Sequence, residues 1–250
     1  MIAKTRKKVC LALLVAVLLL CINFTFGFKG LGNVFFVKNK KPIYSVDRQD
    51  KKIAISFDCA WGVDYTNTLL EIMEKYKIKS TFFMVEFWAQ KNPDFVAKIS
   101  QMGHEIGTHS SSHKYMSKLT KESIVKELTS SCKTIQDITG KKVELFRPPY
   151  GDYNNNLLET ASSLNLKTIQ WSVDSLDWKD YSADKISERI ITRVKSGDII
   201  LCHNNALHIA EALPKIFEVL ISQGYVFVPI GELVYNSNYH VDVNGIQRLN

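Results

Sequence analysis

Short apolar runs alternate along most of the chain with longer stretches in which apolar residues recur every three or four positions. The first pattern is typical of buried parallel strands, and the second of amphipathic helices. The runs predict seven strands, at 53–57, 80–85, 105–107, 143–146, 167–171, 198–201 and 225–228. The longer stretches predict helices at 66–76, 93–102, 121–138, 155–164, 184–194 and 209–222. Alternating units of this kind form an α/β domain, either as an open doubly wound sheet or as a closed barrel.

Polar residues at the strand ends favour the barrel. They follow at least five different predicted strands: Asp58, His109, Arg147, Asp174 and His203. In an open sheet a ligand binds between a few strands, whereas in a barrel all strand ends converge on one face. We therefore expect a (β/α) barrel of about seven strands, with a site at the carboxyl ends of those strands.

The N-terminal region contains an uncharged run of twenty residues, 9–28, after a basic cluster. As a helix this run would reach about 30 Å, which is one bilayer crossing. We favour an uncleaved transmembrane anchor over a cleaved signal peptide, because no clear small-x-small site follows it and the run exceeds the usual apolar core of a signal peptide. The basic residues place 1–8 in the cytoplasm and the rest of the chain outside it. If the run is cleaved instead, the protein is secreted.

The composition, 46% hydrophobic and 23% charged, excludes a disordered, collagen-like or multi-span membrane protein. The net charge of +7 arises near the N-terminus, since eight basic residues and no acid precede residue 42. Residues 42–250 contain 24 Lys and Arg against 25 Asp and Glu. This nearly neutral region argues against a nucleic-acid partner. After the anchor we expect a stalk at 29–49, one domain at 50–235 and a C-terminal tail at 236–250.

Three residues carry candidate chemistry at the strand ends. His109 and His113 are four positions apart, which on one helical turn would point both imidazoles the same way and allow them to chelate a divalent ion. Asp58 ends an apolar strand, where a carboxylate is costly unless it is paired or functional. Each also has an ordinary explanation, a chance pair of surface histidines or a helix N-cap.

Two further segments offer rigid amides, aromatic faces and a titratable group. Arg147 begins RPPYGDY, whose prolines and glycine fix the backbone and present main-chain N–H groups that suit an oxyanion hole. His203 follows a buried strand and has the ordinary pKa of a general acid or base, although a single histidine is more often structural. The segment WSVDSLDW supplies carboxylates and indoles that stack on sugar rings or pack in a core: Trp171, Asp174, Asp177 and Trp178.

Together these segments resemble the polysaccharide deacetylases with a NodB homology domain, also called carbohydrate esterase family four. The resemblance covers about 50–235 and rests on five motifs in the family's order: FDCAWG (57–62), HSSSH (109–113), RPPYG (147–151), DSLDW (174–178) and LCH (201–203). With its N-terminal span, the chain looks most like the membrane-anchored, sporulation-type members. The resemblance implies a distorted (β/α) barrel that removes N-acetyl groups from aminosugars.

The resemblance also implies a metal centre, usually zinc, that polarises water and the acetyl carbonyl. His109 and His113 would be metal ligands, and Asp58 the general base that takes the proton of the water. Arg147 would orient Asp58, and the backbone N–H of Tyr150 would help to hold the tetrahedral oxyanion.

The leaving amine and the sugar would be handled by the last two motifs. By the resemblance, His203 would protonate the departing amine and Asp177 would tune His203. Leu201, with Trp171 or Trp178, would line the acetyl pocket and the groove.

One position departs from the family pattern, because the second of two adjacent acids, a metal ligand in the family, is Cys59 here. Three interpretations stay open. Cys59 binds zinc as a thiolate, Asp64 reaches in to replace it, or Cys59 is a small buried residue and the site binds metal weakly or not at all.

We therefore expect a metal-dependent N-deacetylase that acts outside the cytoplasm on an N-acetylated polysaccharide such as peptidoglycan. A role in sporulation is a further expectation. The alternative is a glycan-binding or structural barrel that has lost its third metal ligand. A soluble cytosolic amidohydrolase acting on a small molecule is disfavoured by the predicted anchor.

Overall fold

The structure is a computed structural model and describes residues 40–250. Its main sheet contains eight parallel strands: β2 (Lys52–Cys59), β3 (Thr81–Met84), β4 (Glu105–Thr108), β5 (Leu145–Phe146), β6 (Lys167–Thr168), β7 (Val173–Asp174), β8 (Ile199–His203) and β9 (Val226–Phe227). Seven follow one another in the order β6-β5-β4-β3-β2-β8-β7, and β9 pairs with the start of β2. The helices that connect them are α1 (Thr66–Lys75), α2 (Glu86–Lys91), α3 (Pro93–Gln101), α4 (Lys121–Thr139), α5 (Asn155–Ser163), α6 (Ala183–Ile191), α7 (Ile209–Ser222) and α8 (Ile230–Leu233).

The sheet is a half-barrel and is not closed between its two end strands. Strands β6 and β7 are consecutive in the chain but lie at opposite ends of the seven-strand path. Ile43 occupies the free edge at β6, because its N–H donates to the carbonyl of Thr168 (2.9 Å) and its carbonyl accepts from the N–H of Gln170 (2.7 Å). A closing strand would need those same backbone groups. The prediction of a distorted (β/α) barrel of about seven strands is confirmed as a seven-strand half-barrel, which stays open between β6 and β7.

A second, small sheet uses both ends of the described chain. Strand β1 (Ser45–Val46) pairs in parallel with β11 (Ile246–Leu249), which pairs antiparallel with β10 (Tyr239–Val241). The folded region thus extends past both ends of the predicted 50–235 domain, into segments that the sequence assigns to a stalk and a tail. The predicted anchor at 9–28 lies outside the described residues, and within 40–250 no helix has the length and apolar character needed to cross a bilayer.

Side chains of β2 alternate between two surroundings, as the pleat requires. Phe57 and Cys59 are fully buried in the core between the sheet and its helices. Asp58 lies on the concave face, in register with His203 of β8. Because paired residues of neighbouring parallel strands point to the same face, the fold itself places a carboxylate beside an imidazole.

A glycine on the concave face makes room for the site. Gly107 of β4 is in register with Phe83 of β3, and a Cβ added at Gly107 would lie 2.6 Å from the Phe83 ring. The same ring packs against the Arg147 guanidinium, whose Cζ lies 4.1 Å from the ring centroid. The absence of a side chain at Gly107 therefore determines where Phe83 lies and, through it, where Arg147 lies.

We expect Gly107→Ala to lower the free energy of unfolding by about 1–3 kcal/mol, because the added methyl overpacks a rigid site. Urea unfolding checks this. In Gly107→Ala/Phe83→Leu the clash is relieved, so the double variant should lose less stability than the sum of the two single variants. Full stability in Gly107→Ala would contradict the argument.

Candidate active site

Asp58 and Arg147 form a buried ion pair at the centre of the concave face. Arg147 is fully buried and donates through Nη1 to Asp58 Oδ1 at 2.8 Å and through Nη2 to the carbonyl of Gln170 at 3.2 Å. Burial alone would raise the pKa of Asp58, but the charge of Arg147, with smaller contributions from His109 and His203, holds it below its usual range. Asp58 is therefore a carboxylate at neutral pH, which is the form a general base requires.

The HSSSH segment is a loop, so the predicted helical turn is wrong. Ser110 (φ 71°) and His113 (φ 53°) both adopt the left-handed backbone conformation, and the two imidazole centroids still lie 5.0 Å apart. Glu127 of α4 holds this loop by accepting from the N–H groups of Ser111 (2.9 Å) and Ser112 (2.8 Å) and from the Ser112 hydroxyl. Protein contacts, and not helix geometry, bring the two rings together.

Both imidazoles are neutral at physiological pH, the form that binds metals. Burial lowers the pKa of His109, and burial together with His109 lowers the pKa of His113 to about 4. Nδ1 of His109 lies 2.7 Å from the carbonyl of Arg147, an arrangement that leaves Nε2 free to bind a metal and directs it towards Asp58 Oδ2 at 3.5 Å. Nδ1 of His113 is buried and has no hydrogen-bond partner. These two side chains suit a divalent ion.

The structure brings neither candidate third ligand to the imidazoles. Cys59 lies in the core on the other face of β2, where burial raises the pKa of its thiol well above the usual value. Asp64 accepts a hydrogen bond from Asn205 Nδ2 at 3.0 Å. Within 40–250 no group of three His, Cys, Asp or Glu side chains has the spacing of a metal site. The two imidazoles are thus fewer than the three protein ligands usual for catalytic zinc.

His203 and Asp177 form the second charged pair. His203 Nδ1 lies 2.7 Å from Asp177 Oδ1, and the His203 backbone N–H donates to Asp177 Oδ2 at 2.8 Å. Burial alone would lower the pKa of His203, but the hydrogen bond and charge of Asp177 outweigh it and raise the pKa. Because Asp177 holds Nδ1, Nε2 is the nitrogen that remains to transfer a proton.

The predicted groove residues have different surroundings. Tyr150 has a left-handed backbone (φ 60°, ψ 7°) and an exposed ring that packs edge-on against His113, with 4.6 Å between centroids. Leu201 is buried on the concave face, in register with Asp174. The Trp171 ring lies beside Arg147, 5.7 Å from its Cζ, and supports the ion pair, whereas Trp178 is exposed.

Sequence reasoning missed Glu127 and Trp61. Glu127 is one of several acids on an amphipathic helix, and no local signal separates it from the others. Trp61 is 64% exposed, and its ring centroid lies 4.9 Å from that of His113. A tryptophan between Ala60 and Gly62, directly after a buried strand, is a signal that could have found it.

We expect Asp177→Asn to lower the pKa of His203, because the desolvation of the imidazole is then no longer opposed by the Asp177 charge. A proton donor loses activity as the pH rises through its pKa, so the alkaline limb of any activity profile should move to lower pH. The raised pKa also stabilises the native fold below the pKa of the unfolded state, and this contribution is lost as the pH rises through the native pKa.

NMR titration of the imidazole checks the shift, with the exposed helix variant Asp137→Asn as control. An unchanged His203 titration in Asp177→Asn would refute the assignment.

The position of Cys59 makes a second prediction, about zinc. We expect Cys59→Ala to keep the zinc affinity of the wild-type chain within about two-fold and His113→Ala to lose about ten-fold or more, because only the imidazole faces the site. Titration calorimetry measures both. Cys202→Ala, which removes another buried thiol of the same core, is the matched control, and selective loss of affinity in Cys59→Ala would show thiolate ligation.

Comparison with known proteins places this geometry in a family. Residues 45–169, half of the chain, match the family Polysaccharide deacetylase. A peptidoglycan-N-acetylglucosamine deacetylase of Bacillus cereus is 35% identical over 196 residues, which cover 76% of this chain and 92% of that protein. The uncharacterized protein YlxY of Bacillus subtilis is 31% identical over 78% of this chain, and the chain spans only 60% of its length.

Solved structures include both active and inactive relatives. BA3943 of Bacillus anthracis, described as a pseudoenzyme of carbohydrate esterase family four, is 32% identical, with a TM-score of 0.74 over 77% of this chain and 68% of that chain. A mutant of BA3943 with restored enzymatic activity is 33% identical, with a TM-score of 0.75 over 77% and 70%. The Bc1960 peptidoglycan N-acetylglucosamine deacetylase is 29% identical, with a TM-score of 0.74 over 76% and 91%. The chain belongs to the polysaccharide deacetylase family, hydrolases of carbon–nitrogen bonds other than peptide bonds.

Proposed function

We propose that this chain hydrolyses the N-acetyl group of aminosugars in peptidoglycan. One observation carries the proposal: Asp58 and His203, in register on β2 and β8, present an ionised carboxylate and an imidazole of raised pKa on the same face. Amide hydrolysis needs a base for the attacking water and an acid for the leaving nitrogen. The names of the relatives, which act on N-acetylglucosamine or N-acetylmuramic acid of peptidoglycan, support this substrate.

The proposed reaction uses the two charged pairs in sequence. Asp58, oriented by Arg147, takes a proton from water as the water oxygen attacks the acetyl carbonyl carbon. The tetrahedral oxyanion is held by the backbone N–H of Tyr150. His203 then gives its proton to the amide nitrogen as the carbon–nitrogen bond breaks, which releases acetate and a free amine.

A divalent metal such as zinc fits this proposal in part. His109 and His113 would hold the ion, which when bound would polarise the acetyl carbonyl and the water. Two imidazoles without a third ligand bind such an ion weakly, so we propose that activity depends strongly on the metal concentration. The predicted anchor at 9–28 would hold the domain outside the cytoplasm, next to the wall. A role in sporulation is a further proposal, based on the motif resemblance alone.

The second candidate function is glycan binding without turnover. It is favoured by the position of Cys59, which faces the core where the family pattern has a metal-ligating acid. The pseudoenzyme BA3943, with the same fold, supports the idea that this architecture persists without catalysis.

Acetate release from purified peptidoglycan by the full-length chain, with zinc, with cobalt or with a chelator, tests hydrolysis. We expect Asp58→Asn to lower the rate by about 10²–10⁴-fold, because the amide still accepts from Arg147 but no longer takes a proton. Asp184→Asn, an exposed acid paired with Lys215, is the control. Undiminished release by Asp58→Asn would refute the base.

Cys59→Asp separates the two candidate functions. The substitution puts an acid at the position where the family pattern has one. If the wild-type chain already releases acetate, the variant should do so at lower metal concentration. Release by the variant alone, with glycan binding in both, would establish the wild-type chain as a binding protein.

A further inference from the structure

Exposed aromatic side chains are confined to one end of the described domain. Within 40–250, each exposed aromatic residue follows the carboxyl end of a strand: Trp61, Phe87, Tyr115, Tyr150 and Trp178. Among the exposed aliphatic residues, Leu207 also follows a strand, β8, whereas the others lie elsewhere: Ile221, Val226, Val243 and Leu249. Because exposed aromatic surface is costly unless it binds something, its restriction to the face of the site points to a ligand.

Four of these rings form a continuous series through His113. The centroid of Phe87 lies 6.4 Å from that of Trp61, Trp61 lies 4.9 Å from His113, and His113 lies 4.6 Å from Tyr150. Tyr150 stacks on Tyr115 at 4.4 Å with 18° between their planes. We call Phe87, Trp61, Tyr150 and Tyr115 the aromatic arc. His113 divides the series into two pairs, Phe87 with Trp61 and Tyr150 with Tyr115.

The Phe87–Trp61 pair is rigidly presented. The carbonyl of Gly62, next to Trp61, accepts from the indole N–H of Trp88 at 2.8 Å and from Asn204 Nδ2 at 3.1 Å. Glu86, next to Phe87, is buried and accepts from the hydroxyls of Ser130 and Thr134 on α4. The backbone on each side is fixed while the rings stay in water, which lowers the entropy lost on binding.

The Tyr150–Tyr115 pair is fixed by a different set of contacts. Asp152, two residues after Tyr150, accepts from the N–H and the hydroxyl of Ser117, both at 2.8 Å. Asn154 Nδ2 donates to the carbonyl of Ser117 at 2.8 Å. These bonds tie the loop of Tyr115 to the loop of Tyr150, so the stacked pair exists before any ligand arrives.

We propose that the aromatic arc is an extended binding site for a glycan strand, with sugar rings stacked on Trp61 and Phe87 on one side of the reacting sugar and on Tyr115 on the other. Pyranose rings present apolar C–H faces that pack on aromatic rings. Because the rings lie before and after His113 in the series, a polymer contacts more of them than a single acetylated sugar does. It should therefore bind more tightly. The proposal rests on the proposed function for the class of polymer, and it adds the residues that select for chain length.

Binding without turnover tests the arc. The full-length Asp58→Asn chain is titrated calorimetrically with a hexasaccharide and a disaccharide of N-acetylglucosamine. Trp61→Ala and Tyr115→Ala, each added to that chain, should weaken hexasaccharide binding about ten-fold and disaccharide binding much less, since one aromatic stack contributes about that factor. Leu249→Ala, which truncates an exposed residue of β11, should leave both affinities within about two-fold.

Trp61→Phe and Tyr115→Phe should restore most of the affinity, because they keep a ring at each position. Equal hexasaccharide affinities in the two alanine variants and in Leu249→Ala, with unchanged circular dichroism, would overturn the arc. Acetate release separates this outcome from failure of hydrolysis. If acetate is released but the alanine variants keep the dissociation constant for the hexasaccharide, the arc is refuted and hydrolysis is not. If hexasaccharide binding depends on the arc but no acetate is released, hydrolysis is refuted and the arc is not.

Discussion

The buried Asp58–Arg147 pair is the interaction on which the concave face depends. A guanidinium with no exposed surface is costly to bury and is tolerated only where its charge and hydrogen bonds are met. Asp58 supplies the charge, Gln170 supplies a carbonyl, and the rings of Phe83 and Trp171 lie beside the group. Loss of one partner would leave the other as an uncompensated charge in the core. Chemistry and stability therefore share the same residues.

From this pair the rest of the site is built outward. The carbonyl of Arg147 orients His109, and the prolines that follow Arg147 lead into the left-handed turn of Tyr150. Across the sheet, register alone brings His203 beside Asp58. The site therefore depends on strand pairing and on one buried, charge-paired cation. Protein atoms hold Asp58, His109 and His203, whereas Arg147 Nε and His113 Nδ1 are buried without a hydrogen-bond partner.

Much of the fold was predictable because periodicity reports which residues are buried. The six predicted helices lie where expected, with ends within three residues of the observed ones. Barrel closure was not predictable, because it depends on the edge of β6, which Ile43 occupies from a distant part of the chain. The helical turn assumed for HSSSH failed for a similar reason: Glu127 stabilises the left-handed residues from α4. Position 59 was ambiguous in sequence, and in the structure the alternation of side chains along β2 puts its thiol in the core.

The histidine loop has a consequence for how such chains change over evolutionary time. Ser110, Glu127 and the carbonyl of Arg147 hold HSSSH with protein atoms alone. An acid exchanged for cysteine at the end of β2 then leaves the loop in place and gains a well-packed core thiol. We therefore expect such an exchange to change the set of metal-binding side chains and to leave the two imidazoles where they are.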